Sequence, residues 1–67
     1  MNVVVNGADS ELSDGATVRD VLSLLALRDA RGVAVARNGE VVVRGEWDAT
    51  RLRDGDHLEV LHAVQGG

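Results

Sequence analysis

The fold is decided by the stretch TVRDVLSLLAL, residues 17–27, which carries the amphipathic pattern of a helix. Its apolar residues recur at positions i, i+3, i+4 and i+7 and therefore share one helical face. They are Val18, Val21, Leu22 and Leu25. Thr17 and Asp20 have the spacing of a capping box, with Asp in place of the usual Glu. The stretch predicts a helix that runs to about Leu27 and buries this face in the core.

A hairpin is predicted on each side of this helix. Asn-Gly pairs favour two-residue type I′ turns because both turn residues need positive φ, and the chain has such pairs at 6–7 and 38–39. The predicted arms are residues 2–5 with 9–13 and residues 33–37 with 40–43. The arm at 9–13 is polar, which suits an edge strand, and Arg28 to Arg31 is predicted to be a polar loop that Gly32 ends.

The next segment predicts one short helical turn and a tight turn. Gly45 ends the second hairpin, and residues 46–53 allow a single helical turn. Trp47 in this turn is expected to cover the core, with a recognition anchor on the surface as the alternative. Asp54 to Asp56 is predicted to be a turn rather than a calcium loop, because the twelfth position of such a loop is Gln65 instead of Glu.

The last strand is predicted from His57 to Val64. Alternation turns Leu58 and Val60 inward, and it turns the later apolar residues toward the face away from the helix. Leu61 and Ala63 are predicted to lie on that face with Ala34 and Ala36 as neighbours, and the predicted docking residues are Leu61, Ala63 and Val64. An apolar patch that leads into the end of the chain is what a tail-processing enzyme needs for docking.

The element order is strand, strand, helix, strand, strand, short turn, strand. It predicts an α+β fold of the β-grasp type: a mixed four- to five-stranded sheet with one helix across one face, and the first and last strands as parallel central neighbours. The alternative, a ferredoxin-like split βαβ fold, needs a second full helix, which residues 46–53 do not provide. Residues 1–67 are predicted to form a single domain with a flexible tail at about 64–67.

Composition excludes several classes of function. The chain has no cysteine, so disulfides, thiolate metal sites and a thiol nucleophile are absent. A net charge of -4 and a single aromatic residue argue against nucleic-acid binding and favour a basic protein partner. No apolar run approaches the roughly 20 residues of a membrane span, and the start lacks a signal peptide. We expect a cytoplasmic protein that is monomeric when free and has no membrane partner.

No catalytic or metal site is predicted within the chain. His57 and His62 are five residues apart on one strand, so they face opposite sides and cannot chelate one metal as a pair. No pair of residues has the spacing of a nucleophile and its base, and no glycine-rich phosphate loop precedes a helix. We therefore expect that any chemistry is done by partner proteins and that no cofactor is bound.

The candidate functional residues are the two glycines that follow the last strand. Gly66 and Gly67 lack Cβ atoms, so their backbone can pass through a channel too narrow for other residues. The carboxylate of Gly67 can attack a nucleotide triphosphate to form an acyl-adenylate, which a sulfur or nitrogen nucleophile then opens. The chain has no lysine, so no side-chain amine of its own intercepts that adenylate.

Over essentially its full length the chain resembles the ThiS family of sulfur carriers for thiamine biosynthesis, within the ubiquitin-like β-grasp group. The resemblance is most specific in the segments AVARNGEVV at 34–42, EW at 46–47, LRDGD at 52–56, LEV at 58–60 and GG at 66–67. Many members have a proline and an arginine after the fourth strand, where this chain has Val43 and Arg44.

The resemblance implies a carrier rather than an enzyme. A ThiF-like adenylyltransferase uses ATP and magnesium to adenylate Gly67, and a cysteine-desulfurase persulfide supplies sulfur to form the thiocarboxylate. A ThiG-like thiazole synthase then takes the sulfur into the thiazole ring. Gln65 and Gly66 thread the tail into the partner enzymes.

Other readings remain open at this point. Within the same group, the carrier could serve molybdopterin synthesis, cysteine synthesis or tRNA thiolation. From another class, a ubiquitin-like conjugating modifier would form an isopeptide with a target lysine. A plain protein-interaction module would have incidental glycines.

Overall fold

The computed structural model describes residues 1–27 and 31–63, and these residues form a five-stranded sheet with one α-helix. In chain order the elements are β1 (Asn2–Val5), β2 (Ala8–Glu11), α1 (Val18–Leu24), β3 (Val33–Arg37), β4 (Glu40–Val41), a 3₁₀ turn (Arg44–Glu46) and β5 (His57–His62). The strand order across the sheet is β2-β1-β5-β3-β4. Strands β1 and β5 are parallel neighbours, so the predicted β-grasp topology is confirmed.

Helix α1 begins with the predicted capping box. The backbone nitrogen of Asp20 donates to Oγ1 of Thr17 at 3.3 Å, and the backbone nitrogen of Thr17 donates to the Asp20 carboxylate at 2.8 Å. Val18, Val21 and Leu22 are all buried against the sheet. Three of the four residues of the predicted amphipathic face therefore form the helix side of the core.

The end of α1 differs from the prediction. The helix stops at Leu24 instead of Leu27, and Leu25, predicted to lie in the core, is 41% exposed. The cause is Ala26, which has φ +61°. Its nitrogen donates to the Ser23 oxygen, and the Leu27 nitrogen donates to the Leu22 oxygen. These two bonds form a Schellman motif, which ends the helix and returns Leu27 to the core.

Replacing Ala26 by glycine is expected to stabilise the protein by about 0.5–1 kcal/mol, because glycine adopts positive φ without the steric cost that alanine carries. Urea unfolding followed by the fluorescence of Trp47, the only tryptophan, measures the change. Ala49→Gly is the matched control, since Ala49 is exposed and does not have positive φ. The explanation of the helix end is wrong if Ala26→Gly destabilises as Ala49→Gly does.

Both predicted Asn-Gly hairpins are present. Asn6 and Asn38 have φ values of 51° and 50°, and the glycine after each also has positive φ, as type I′ turns require. Strand β2 lies at the sheet edge, as predicted, but it spans 8–11 instead of 9–13. The arm ends early because its pairing with β1 stops at Glu11 opposite Asn2, and Leu12 beyond it is buried.

The second hairpin also has a shorter arm than predicted. Strand β4 covers 40–41 instead of 40–43, and the 3₁₀ turn begins at Arg44, so Gly45 lies inside that turn rather than before it. Val43 precedes the turn with φ -67° and ψ 149°. A proline ring fixes nearly the same φ, so valine at this position keeps the backbone shape that proline would impose.

Trp47 covers one end of the core, as predicted. It is 2% exposed, and its Nε1 donates to the Val42 carbonyl oxygen at 2.8 Å. The Arg19 guanidinium lies 5.3 Å from the ring centroid and pairs with Asp48. The indole therefore joins α1, the 3₁₀ turn and the end of β4 through one side chain.

The asparagine side chains of the two hairpin turns form hydrogen bonds with the central strand β5. Asn6 exchanges two hydrogen bonds with the backbone of Val60: its Oδ1 accepts from the nitrogen at 2.8 Å, and its Nδ2 donates to the oxygen at 3.2 Å. Asn38 accepts from the His57 nitrogen and donates to the Asp56 carboxylate. Each asparagine side chain thus connects the turn of its hairpin to the backbone of β5.

Asp56 ends the predicted turn at 54–56 and is buried. Burial opposes its ionisation, but hydrogen bonds from the Arg53 nitrogen and the Asn38 amide, with the charge of Arg37, outweigh burial and hold the pKa of Asp56 below its ordinary value. A lowered folded-state pKa means that this carboxylate stabilises the fold above its unfolded pKa. That contribution is lost as the pH falls through the folded pKa.

Candidate functional site

The face of the sheet away from α1 carries an apolar patch. Antiparallel pairing places Leu61 opposite Ala34 and Val41 opposite Ala36, so all four side chains point to this outer face. We call Ala34, Ala36, Val41 and Leu61 the outer-face patch. Leu61 is 68% exposed and Val41 is 77% exposed, which leaves two branched side chains in contact with solvent.

The predicted docking residues fall partly within the described structure. Leu61 lies in the outer-face patch, and Ala63 is exposed just beyond β5. Val64, Gln65, Gly66 and Gly67 lie outside the described residues. The structure therefore brings Leu61 together with Ala34 and Ala36, and it leaves the roles of all these residues as predictions.

Val41 belongs to this patch, although the sequence analysis did not select it. The signal was available: a two-residue turn at Asn38-Gly39 pairs Ala36 with Val41, and directly opposite residues share a face. Any prediction that placed Ala36 on the outer face therefore also placed Val41 there.

Gly32 fixes the position at which the chain leaves β5. The Ala63 nitrogen donates to the Gly32 oxygen at 2.9 Å, which continues the pairing of β3 with β5 by one bond. Gly32 has φ +68°, and a Cβ atom there would lie 3.3 Å from the Ala63 oxygen. A larger residue would require Ala63 to shift by a few tenths of an ångström and would itself be strained at this φ, so glycine suits the contact with Ala63.

The outer-face patch is an open surface rather than an enclosed cavity. A shallow groove of about 190 Å³ runs along it, with Glu59 as its one charged wall. Within residues 1–27 and 31–63 no three His, Cys, Asp or Glu side chains lie close enough to hold a metal ion, and His57 and His62 are both exposed. Nor is any helix of that part of the chain long and apolar enough to cross a membrane.

Comparison with known proteins identifies the family to which the chain is similar. The ThiS family profile matches residues 3–67. The sulfur carrier protein ThiS of Escherichia coli is 31% identical over 67 residues, covering all of both chains. The crystal structure of the thiamine biosynthesis protein ThiS from Geobacter metallireducens superposes with a TM-score of 0.81, at 40% identity and with all of both chains covered.

Longer proteins contain a similar stretch of sequence. A thiazole synthase of Paramagnetospirillum magneticum is 37% identical over all 67 residues, and this chain spans 20% of that protein's length. The match over nearly every residue, the relatives of equal length and the shared fold agree. The chain belongs to the ThiS family.

Proposed function

We propose that this protein is a sulfur carrier for thiazole formation in thiamine biosynthesis, with the carboxylate of Gly67 as the group that carries sulfur. The observation that supports this most is the family match, which extends to residue 67 and thus includes both glycines. The described residues form a folded domain with an exposed apolar patch. A carrier whose partners do the chemistry needs such a surface for binding them.

The proposed cycle begins with activation of the tail. A ThiF-like adenylyltransferase with ATP and magnesium lets the Gly67 carboxylate attack the α-phosphorus, which releases pyrophosphate and leaves an acyl-adenylate. The terminal sulfur of a cysteine-desulfurase persulfide then displaces AMP. A thiol reductant cleaves the resulting acyl disulfide and leaves the thiocarboxylate. Transition-state stabilisation belongs to the partners, because this chain contributes only the nucleophilic carboxylate and its positioning.

Transfer to a ThiG-like thiazole synthase is the proposed second half of the cycle. The match to proteins named thiazole synthase supports this partner, because one polypeptide there joins a unit similar to this chain with a longer remainder. The same matches favour thiazole formation over molybdopterin synthesis, cysteine synthesis and tRNA thiolation. In this proposal the outer-face patch docks on each partner, while the tail from Val64 to Gly67 enters the active site.

Intact-mass measurement tests the proposal. After incubation with a ThiF-like adenylyltransferase, ATP, magnesium, a cysteine desulfurase and cysteine, the mass is expected to rise by the difference between one sulfur and one oxygen. Fragmentation is expected to place the change at Gly67. Isopeptide adducts on lysines of other proteins would instead support the conjugating modifier. An unchanged mass, with a partner that modifies the Escherichia coli carrier under the same conditions, would rule out the sulfur-carrier proposal.

Replacing Leu61 by alanine is expected to lower kcat/KM for adenylation by about tenfold, because a leucine anchor in a docked interface contributes on the order of 1–2 kcal/mol. The free energy of unfolding should change by less than about 0.5 kcal/mol, since the side chain is 68% exposed. Pyrophosphate release measures the first quantity and urea unfolding the second.

Leu24→Ala is the matched control for Leu61→Ala. Leu24 is 70% exposed but lies on α1, on the other side of the sheet from the outer-face patch. Its replacement should leave kcat/KM unchanged. Equal losses in the two variants would show that docking does not use the outer face.

A further inference from the structure

A second feature of the surface lies on the helix side of the sheet, away from the outer-face patch. An open groove of about 640 Å³ is lined by Arg37, Arg51 and Arg53, with Gly15, Ala49 and Thr50 among its other walls. No acidic side chain is among the lining residues, although the chain has eleven carboxylate side chains and only seven arginines. The lining of the groove is therefore positively charged on an otherwise acidic protein, and the acidic walls Glu40 and Glu46 belong to the adjoining pocket beyond Arg37.

Two of the three arginines come from one short segment. Arg51 and Arg53 are both exposed and flank buried Leu52, so both side chains lie on the solvent side of this segment. The Leu52 nitrogen donates to the Ala16 oxygen, and the backbones of Arg51 and Thr17 form an isolated antiparallel β-bridge. These contacts hold the segment beside the start of α1. The direction of both side chains is thus set by the packing of Leu52.

Arg37 joins them from the end of β3. Its Nη1 donates to the Arg51 carbonyl oxygen at 3.2 Å and lies 3.8 Å from the buried Asp56 carboxylate. One of the three guanidinium groups is therefore held in place. The side chains of Arg51 and Arg53 make no hydrogen bond or ion pair with any described residue, so their donors remain available.

We propose that this groove, which we call the arginine groove, binds an acidic segment of a partner protein through carboxylate–guanidinium pairs. Guanidinium groups bind carboxylates in a bidentate manner, and three of them along an open groove match several carboxylates in one extended segment. The groove is much larger than a single anion and is open to solvent, so it does not enclose a free phosphate. This contact would be additional to the docking and tail chemistry proposed above.

The charge of the whole chain decides between a protein segment and a nucleic acid. The formal net charge is -4, so a long polyanion that follows the surface beyond the groove meets repulsion. A short acidic segment that contacts only the groove avoids it. The arginine groove is also distant from the end of β5 that leads to the tail. Val33 pairs with His62 at that end of the sheet, and Arg37 lies four residues farther along β3, or about 13 Å away.

Two-dimensional amide NMR with a capped peptide of eight glutamates tests the proposal. At an ionic strength of about 0.01 M the peptide should shift the amides of Gly15, Ala49 and Thr50 more than those of the outer-face patch. At about 0.15 M the shifts should shrink, because the Debye length falls from about 30 Å to about 8 Å. A capped peptide of eight glutamines should produce no shifts.

Variants separate the groove from general charge. Arg51→Gln should weaken binding about threefold, and Arg51→Gln combined with Arg53→Gln about tenfold, as expected for exposed ion pairs. Both variants retain the backbone hydrogen bond from Leu52 to Ala16 and the backbone oxygen of residue 51 that accepts from Arg37. Arg44→Gln is the matched control, because Arg44 is exposed outside the groove and loses the same charge; its binding should stay within about 1.5-fold of the unchanged protein.

Four results would overturn the proposal. These are no shift with the glutamate peptide, shifts centred elsewhere, equal weakening by Arg44→Gln and Arg51→Gln, and tighter binding of a single-stranded oligonucleotide than of the peptide. Thermal unfolding of each variant shows whether it is folded. None of these results depends on sulfur transfer, so the two proposals can fail separately.

Discussion

Removal of Gly67 is expected to lower the rate of thiocarboxylate formation by at least about a hundredfold while leaving the fold intact. The deletion does not remove the terminal carboxylate, but it shifts that carboxylate back along the chain by about 3.8 Å, the spacing of consecutive Cα atoms. A misplacement of only about 1 Å can cost about a hundredfold in rate when a reaction depends on positioning. Quantitative intact-mass spectrometry over time measures the rate.

A second derivative separates position from chemistry. A chain that ends in a carboxamide at Gly67 has the full length but lacks the nucleophilic oxygen, and it should form no adenylate. Both derivatives should unfold at the urea concentration of the parent protein. Normal thiocarboxylate formation by the deleted chain would show that the length of the tail is not critical. Unfolding of the deleted chain would show that Gly67 is structural.

Replacing Trp47 by alanine is expected to leave the protein largely unfolded at 25 °C. Loss of a buried tryptophan costs about 3–5 kcal/mol, and a domain of this size has a total stability of only about 3–5 kcal/mol. The loss includes the hydrogen bond to Val42 and the stacking of Arg19, which together join three parts of the chain. Far-UV circular dichroism is the measurement, because the fluorescent probe is removed with the side chain.

Two further variants identify what the indole contributes. Trp47→Phe retains most of the apolar volume but leaves the Val42 oxygen unpaired, so we expect a loss of about 1–3 kcal/mol. Val43→Ala, at a neighbouring residue that is 57% exposed, should change stability by less than about 0.5 kcal/mol. A cooperative unfolding transition in Trp47→Ala close to that of the parent protein would mean that the core does not depend on this residue.

Local patterns predicted most of the fold. The capping box at Thr17, the Asn-Gly turns and the alternation of Leu58 and Val60 depend on a few neighbouring residues, and all are confirmed. The pairing of β1 with β5 was also predicted, but from the order of elements, since nothing in either strand specifies the other as its partner.

Two errors have different causes. Alanine normally favours a helix, so nothing at Ala26 indicated positive φ, and the helical pattern was continued to Leu27. Strand β4 ended early although Val43 keeps extended backbone angles, because the chain enters the 3₁₀ turn at Arg44 instead of continuing to pair with β3. Three consecutive valines predict a strand but do not show where its pairing ends.

The candidate site was likewise predicted only in part. Alternation along β5 placed Leu61 on the outer face, whereas the role of the two glycines as the reactive end, predicted from their chemistry and the family resemblance, stays a prediction. The arginine groove was not foreseen, because Arg37 and the pair Arg51 and Arg53 are far apart in sequence. Their convergence depends on how the segment around Leu52 packs beside α1.

The central position of β5 has a consequence for how the protein folds during synthesis. This strand leaves the ribosome after all the others, yet it lies between β1 and β3. Until it emerges, β1 with β2 and β3 with β4 are two hairpins with no strand to join them, and isolated hairpins are at best marginally stable. Sheet assembly therefore waits for nearly the whole chain, and such long-range pairing is slow. A truncated chain that lacks β5 lacks Leu61 and the pairing that aligns it with Ala34, so it cannot form the outer-face patch on which the proposed docking depends.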